Sequence, residues 1–484
     1  MTDVHFRSAT ALAAMIRNRD IGAEELLDHY LARVEKYNPA LNAIIFTQID
    51  KAREKAQAAD AALARGDDVR PLHGVPMTIK ESYDWGGSPS TWGIPANREN
   101  YADEDAVAVQ RLEAAGAIVF GKTNVPLLLA DWQSFNEIYG TTNNPWDTSR
   151  TPGGSSGGSA AALAAGLTSL EIGSDIGASI RNPAHYCGVF GHKPTYDIVP
   201  LRGHLLPGVF AGADISVGGP LARSADDLSV ALDILAGADG VDATGWRLEL
   251  PAPRKTSLRD FKVGVMLDSP VCAQDDRLTA QLQKTVDALA KAGVTVDMNA
   301  RPDIDMARLN HVYLLLLRAA TGVRIGDDIF AEHVKSAAAR DADDWIYRAY
   351  IDRGVTLYHR EWWGLHNERT AMRARWADYF KEYDLLLCPS AASAAFPHDH
   401  EGERPDRMIQ VNGKAEPGTD QLFWAGMSGV VFLPSTVAPA GLTEEGLPCG
   451  LQIVGAHLED RTTIEFARLM EQELGGFAPP PGYD

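Results

Sequence analysis

The residues best able to do chemistry lie between 151 and 195, in TPGGSSGGSAAALAAGLTSLEIGSDIGASIRNPAHYCGVFGHKPT, where glycine and serine dominate and the charged side chains are Glu171, Asp175, Arg181 and Lys193. Glycine loses more conformational entropy on folding than any other residue, so a backbone this rich in it is kept clear for tight turns or for main-chain N–H groups to approach a ligand. The alanine-rich run 160–165, closed by Gly166, predicts a helix with Ser155 and Ser156 just ahead of its N-terminus. Residues 170–172 read as a short extended segment, and 173–179 as a sharp turn. Hydroxyls and unspent N–H groups gathered in this way suit an anion, or a carbonyl oxygen becoming one. A serine becomes a nucleophile only when a base takes its proton, and a lysine serves as that base only when neutral. Lys80, at the end of the apolar run 75–79, is placed for burial, which must lower its pKa from about 10.4 by roughly 3 units for the lysine to act near neutral pH.

The whole stretch resembles the signature of the amidase signature family, Ser-Ser-Lys hydrolases of amides, and in particular its bacterial, fatty-acid amide hydrolase-like members. Carried onto this sequence, the resemblance makes Ser179 of GASIR the nucleophile and Ser155 the bridging serine, held in a cis peptide. It makes Lys80 of VPMTIKES the base. It implies an oxyanion hole from the main-chain N–H groups of Ile176, Gly177, Ala178 and Ser179, an acyl-enzyme intermediate, and no metal or organic cofactor. One departure is visible: Ala178 stands where the family usually has a second glycine. A methyl there is comfortable only at negative φ.

Two other motifs compete for attention. GAIVFGKT at 116–123 satisfies the phosphate-loop pattern, but the order here is helix, apolar interior, then Asn124-Val125-Pro126, which lacks the strand-loop-helix context that the pattern needs. Residues 153–158 satisfy GxSxG twice, yet a polar loop, 141–150, precedes them instead of the hydrophobic strand of a nucleophile elbow. The corresponding alternative is a Ser-His esterase with Ser156 as nucleophile and His457 as base. His398-Asp399-His400 lacks further ligand spacing for a metal.

The elements around these residues form an α/β pattern. Helices are expected over 8–37, broken near Ile21-Gly22, and over 49–64, 104–115, 225–236 and 278–291, with a buried helix, apolar on nearly every side, over 309–320; strands are expected at 41–46, 117–120, 262–266, 294–298, 384–389, 430–434 and 450–455. Strand, helix, strand over 262–298 argues a parallel βαβ unit. The resemblance implies a single α/β/α domain over 1–484, with a large, mixed, mostly parallel sheet between helical layers. Its parts are a helical region of about 1–70, a signature core of about 71–235, and pocket helices with completing strands at about 257–484. The leucines of 309–320 and the aromatics of 341–375 are either pocket wall or packing, and the polar segment 397–420 reads as a loop near the pocket mouth.

With 484 residues, 45% hydrophobic and 23% charged, the chain has the composition of a soluble globular enzyme. A net charge of −20 disfavours nucleic acid as a partner. No apolar run approaches the length of a membrane span and no secretory leader is visible. Cys187, Cys272, Cys388 and Cys449 are scattered, as free thiols in a reducing, cytoplasmic compartment would be. The expected function is hydrolysis of a C–N bond in an apolar, uncharged small-molecule amide, with esters and carbamates as side substrates. The alternative within the family is the glutaminase subunit of an amidotransferase complex. A homodimer is compatible with the sequence.

Overall fold

The computed structural model describes residues 4–323 and 325–483. A small sheet forms around the lysine. Its strands β1 (Ile44–Thr47), β2 (Pro76–Lys80) and β3 (Ile118–Thr123) lie in the order β1-β3-β2, with β2 parallel and β1 antiparallel to β3. Pro76 opens β2, a strand position where the missing N–H is tolerated. Every residue of β2 and β3 is buried. Lys122, the lysine of GAIVFGKT, lies inside β3 and its Nζ donates to Pro89 O (2.6 Å) and Ser90 Oγ (3.1 Å). This segment is therefore a core strand, with no loop to cradle a phosphate.

The larger sheet has eight strands: β4 (Glu171–Asp175), β5 (Phe190–Lys193), β6 (Val217–Ala222), β7 (Lys262–Val265), β8 (Thr295–Asp297), β9 (Leu385–Pro389), β10 (Ser435–Leu442) and β11 (Pro448–Val454). Their order is β8-β7-β9-β11-β10-β5-β6-β4. The expected βαβ unit is present: β7 and β8 are parallel, with the helix Asp276–Lys291 between them in sequence. The helices Arg181–Cys187 and Asp460–Leu474 both pack against β10 and β11. The sheet is mixed, as expected, but not mostly parallel. Only β7 with β8 and β7 with β9 run parallel; the remaining neighbours are antiparallel. The reason is local for β10 and β11, whose five-residue connection is too short for the crossover that parallel strands require.

Two further expectations are corrected. Residues 430–434 are not a strand. They close the helix Leu422–Gly429 by a turn in which Leu433 N–H returns to Ser428 O (3.0 Å) and Phe432 takes a left-handed φ of 67°. Residues 397–420 are more than a loop. Met408–Val411 and Lys414–Pro417 pair as a hairpin about Asn412-Gly413, both at positive φ, the dipeptide that favours a tight hairpin turn. His398 meets Asn143 Oδ1 and the His400 ring stacks on Phe135, and among the described residues no group of three or more His, Cys, Asp or Glu could hold a metal. All four cysteines are buried free thiols. Among the described residues no helix is long and apolar enough to cross a membrane.

Candidate active site

Lys80 ends β2 fully buried, and its Nζ donates to three hydroxyls: Ser155 Oγ at 2.7 Å, Ser174 Oγ at 2.9 Å and Ser156 Oγ at 3.0 Å. Hydroxyls both donate and accept. The same three partners can therefore satisfy an ammonium, which gives three protons, or a neutral amine, which gives two and accepts one. Burial lowers the Lys80 pKa from 10.5 to about 7, against the opposing pull of Asp175, Glu171 and Glu81. Glu171 weakens that pull, because burial raises its own carboxyl to about 8 despite a hydrogen bond from Thr78 Oγ1.

The peptide Gly154–Ser155 is cis. No side chain fits at 154, where a Cβ would stand 2.3 Å from Asp131 O. Ser155, Ser174 and Ser179 line one cavity of about 280 Å³. Among the described residues, no hydrogen bond joins Ser155 Oγ to Ser179 Oγ. The contact from Lys80 to Ser155 is made, and the contact from Ser155 to Ser179 is open.

The turn carrying Ser179 is held by residues that sequence reasoning did not assign. Asp175 Oδ1 accepts the Ala178 N–H (3.0 Å), and Oδ2 accepts those of Ile180 (3.1 Å) and Arg181 (3.3 Å). The Arg181 guanidinium grips both Asp175 oxygens (2.9 and 3.0 Å) and reaches Gln452 Oε1 (2.7 Å) and Ser428 Oγ (3.0 Å). Burial acts to raise the Asp175 carboxyl, but this guanidinium holds it below the usual carboxylate range. Trp132 Nε1 donates to Gly177 O (2.7 Å) and Tyr313 OH to Ile176 O (3.1 Å). In a trans peptide the C=O and N–H point oppositely, so the Tyr313 bond also fixes the direction of the Gly177 N–H. Of the four N–H groups expected to hold an oxyanion, that of Ala178 is given to Asp175. Those of Ile176, Gly177 and Ser179 have no protein acceptor among the described residues. The visible signal for the clamp was the pair Asp175 and Arg181 flanking GAS in a stretch otherwise nearly free of charge.

Ala178 takes a φ of 69°, the left-handed region in which its methyl is strained. Ala178→Gly is therefore expected to stabilise the protein by about 1 kcal/mol, less what the freer unfolded chain recovers. A urea midpoint that rises with an unchanged slope would bear this out, and a fall would show that the surroundings favour the methyl.

The apolar part of the cavity wall is mainly aliphatic, including Leu128, Leu129, Leu201, Leu206, Leu317 and Ile325. The aromatics of 341–375 do not line it; that segment contributes Ile351 and Val355, while the lining aromatics are Trp92 and Trp132. The Ser156–His457 alternative finds no support in the geometry. The Ser156 hydroxyl meets Lys80 and Ser174, whereas exposed His457 faces the Arg373 guanidinium at 3.5 Å.

A family model described as Amidase matches residues 25–464. The chain is 33% identical to one of the subunits of the glutamyl-tRNA(Gln) amidotransferase of Acidothermus cellulolyticus, over 95% of this chain and 93% of that protein. It is 30% identical to the indoleacetamide hydrolase of Bradyrhizobium diazoefficiens, over 97% of this chain and 87% of that protein. Among solved structures, a bacterial aryl acylamidase of the amidase signature enzymes aligns with a TM-score of 0.82 at 24% identity, covering 98% of this chain and 97% of that one.

Proposed function

The chain belongs to the amidase signature family and is an amide-hydrolysing enzyme, and from that premise we propose that Ser179 attacks the amide carbonyl while Ser155 passes its proton to Lys80. The observation that carries this reading is the fully buried Lys80 amine 2.7 Å from the serine that shares a cavity with Ser179, where burial lowers its pKa to about 7. Rotation of the Ser179 side chain towards Ser155 completes the relay. As the Ser179 Oγ–C bond forms, the Ser179 proton moves to Ser155 and the Ser155 proton to Lys80. The three unspent N–H groups at 176, 177 and 179 hold the oxyanion. The relay then returns a proton to nitrogen, the C–N bond breaks, and the amine or ammonia leaves an acyl-enzyme. Water, deprotonated by the same relay, releases the acid. Esters and carbamates fit the same steps.

The base works only when neutral, so kcat/KM for an uncharged amide is level above pH 7 and falls about tenfold per unit below it. A profile recorded from pH 5 to 9 checks this. An acidic limb that bends near pH 5 instead of 7 would mean that Lys80 is not the titrating base.

A second reading, a glutamine-hydrolysing component of a larger assembly, is favoured by the 33% identity to an amidotransferase chain. The cavity argues against it. Glutamine brings an α-ammonium, and the one carboxylate among the described lining residues, Asp131, is already held by the Arg407 guanidinium at 2.5 Å. Ammonia release from glutamine, set beside turnover of anilides by the isolated chain, separates the two readings.

A further inference from the structure

The chain as a whole is strongly acidic, yet its cavity is not. Among the described lining residues the formally charged groups beyond the Asp131–Arg407 pair are Arg318 and Arg404. The Arg404 guanidinium donates a hydrogen bond to Ala130 O (2.9 Å). Arg318 makes no ion pair and no side-chain hydrogen bond among the described residues, and its Nε is a buried donor without an acceptor. Its guanidinium carbon lies 5.6 Å from the ring centroid of Tyr347, whose hydroxyl is also buried without a hydrogen-bond partner. Tyr347 lies on the helix Tyr347–Val355, one and two turns before the lining residues Ile351 and Val355, and so shares their face. The nearby carboxylate, Asp352, is occupied by His333, Ser336 and Arg340. A guanidinium without a counter-charge among the described residues therefore stands in the wall of the cavity, where an anionic group of a bound molecule would supply its partner.

We propose that the amide substrate carries a carboxylate, received by the Arg318 guanidinium. The inference rests on the amide-hydrolysis reading and narrows its substrate class. The leucine-rich wall accounts for an apolar body, but the expected uncharged substrate gives way to one with an anionic end. That end lies some distance from the scissile bond. Tyr313, which touches the Ser179 turn, and Arg318 are on the same helix, Met306–Gly322, separated by about 7.5 Å along its axis at the usual rise per residue.

The test uses two matched pairs of amides. One pair carries the acid on the acyl side: the p-nitroanilides of glutaric acid and of 5-methylhexanoic acid, where an isopropyl group replaces the carboxylate. The other carries it on the amine side: 4-acetamidobenzoate and 4-isopropylacetanilide. In at least one pair the wild type is expected to favour the acid by about 10- to 100-fold in kcat/KM, mostly through KM. Arg318→Met is expected to bring that ratio close to 1, and Arg318→Lys to restore part of it. The same preference is read without turnover by calorimetric binding to Ser179→Ala. No preference in either pair, or a ratio indifferent to Arg318→Met, overturns the anion site and leaves amide hydrolysis standing. Preferential binding of the acid without cleavage of any of the four compounds does the reverse.

Discussion

Replacing Ser179 with alanine is expected to lower the hydrolysis of a chromogenic anilide and of its matched ester by about four orders of magnitude or more, because the proposed mechanism then lacks the atom that forms the acyl-enzyme. What survives reflects binding and the N–H groups at 176, 177 and 179, which the substitution leaves in place. The partner experiment, Lys80→Ala, is expected to cost the anilide more than the ester. An alkoxide leaves without help, whereas an amine leaves only when protonated, and in the proposed relay the proton for nitrogen comes through the lysine. A tyrosine-like or histidine-like base elsewhere in the chain would depress both substrates equally. Retention of activity in Ser179→Ala would reopen the assignment of the nucleophile, with Ser155 and Ser174, which line the same cavity, as the candidates to replace next.

Asp175→Asn is expected to be the most destabilising of the conservative changes at this site. The fully buried carboxylate faces five donors: the N–H groups of Ala178, Ile180 and Arg181, and two nitrogens of the Arg181 guanidinium. An amide of the same shape keeps one acceptor oxygen and turns an NH2 towards groups that also donate. It leaves Arg181 buried without a counter-charge. Breaking a buried pair on one side costs about 3–5 kcal/mol. The midpoint of urea unfolding should fall accordingly, and kcat should drop in the protein that remains folded, since the Ser179 turn loses what shapes it. A variant within about 1 kcal/mol of wild type and equally active would show that Trp132 and Tyr313 alone suffice to hold the turn.

The free energy at stake around Asp175 lies in contacts that no local pattern encodes. Arg181 reaches Gln452 across 271 residues, and Lys80 reaches Ser174 across 94. Ser174 is a site hydroxyl that looks, in sequence, like any other serine of a turn. The Arg318–Tyr347 corner is of the same kind. A lone arginine after a run of leucines reads as the end of a helix face, and only the packing of one helix against another shows that its Nε and a tyrosine hydroxyl lack partners.

Family membership, most of the elements and the choice of Lys80, Ser155 and Ser179 as candidates could be read along the chain alone. These features are written locally: helical periodicity repeats within a few turns, and the glycine–serine signature occupies one contiguous stretch because the backbone itself must turn there. Even the misread segments, 397–420 and 430–434, carried local marks in Asn412-Gly413 and in the helix that ends at Gly429. The direction of most strand pairs, the spending of the Ala178 N–H on Asp175, the left-handed backbone at Ala178 and the charge of the cavity emerged only once the chain was folded. Each of these depends on which distant groups share a low-dielectric interior, where an unmatched donor or charge is costly and its partner is supplied by the fold rather than by neighbours in the chain.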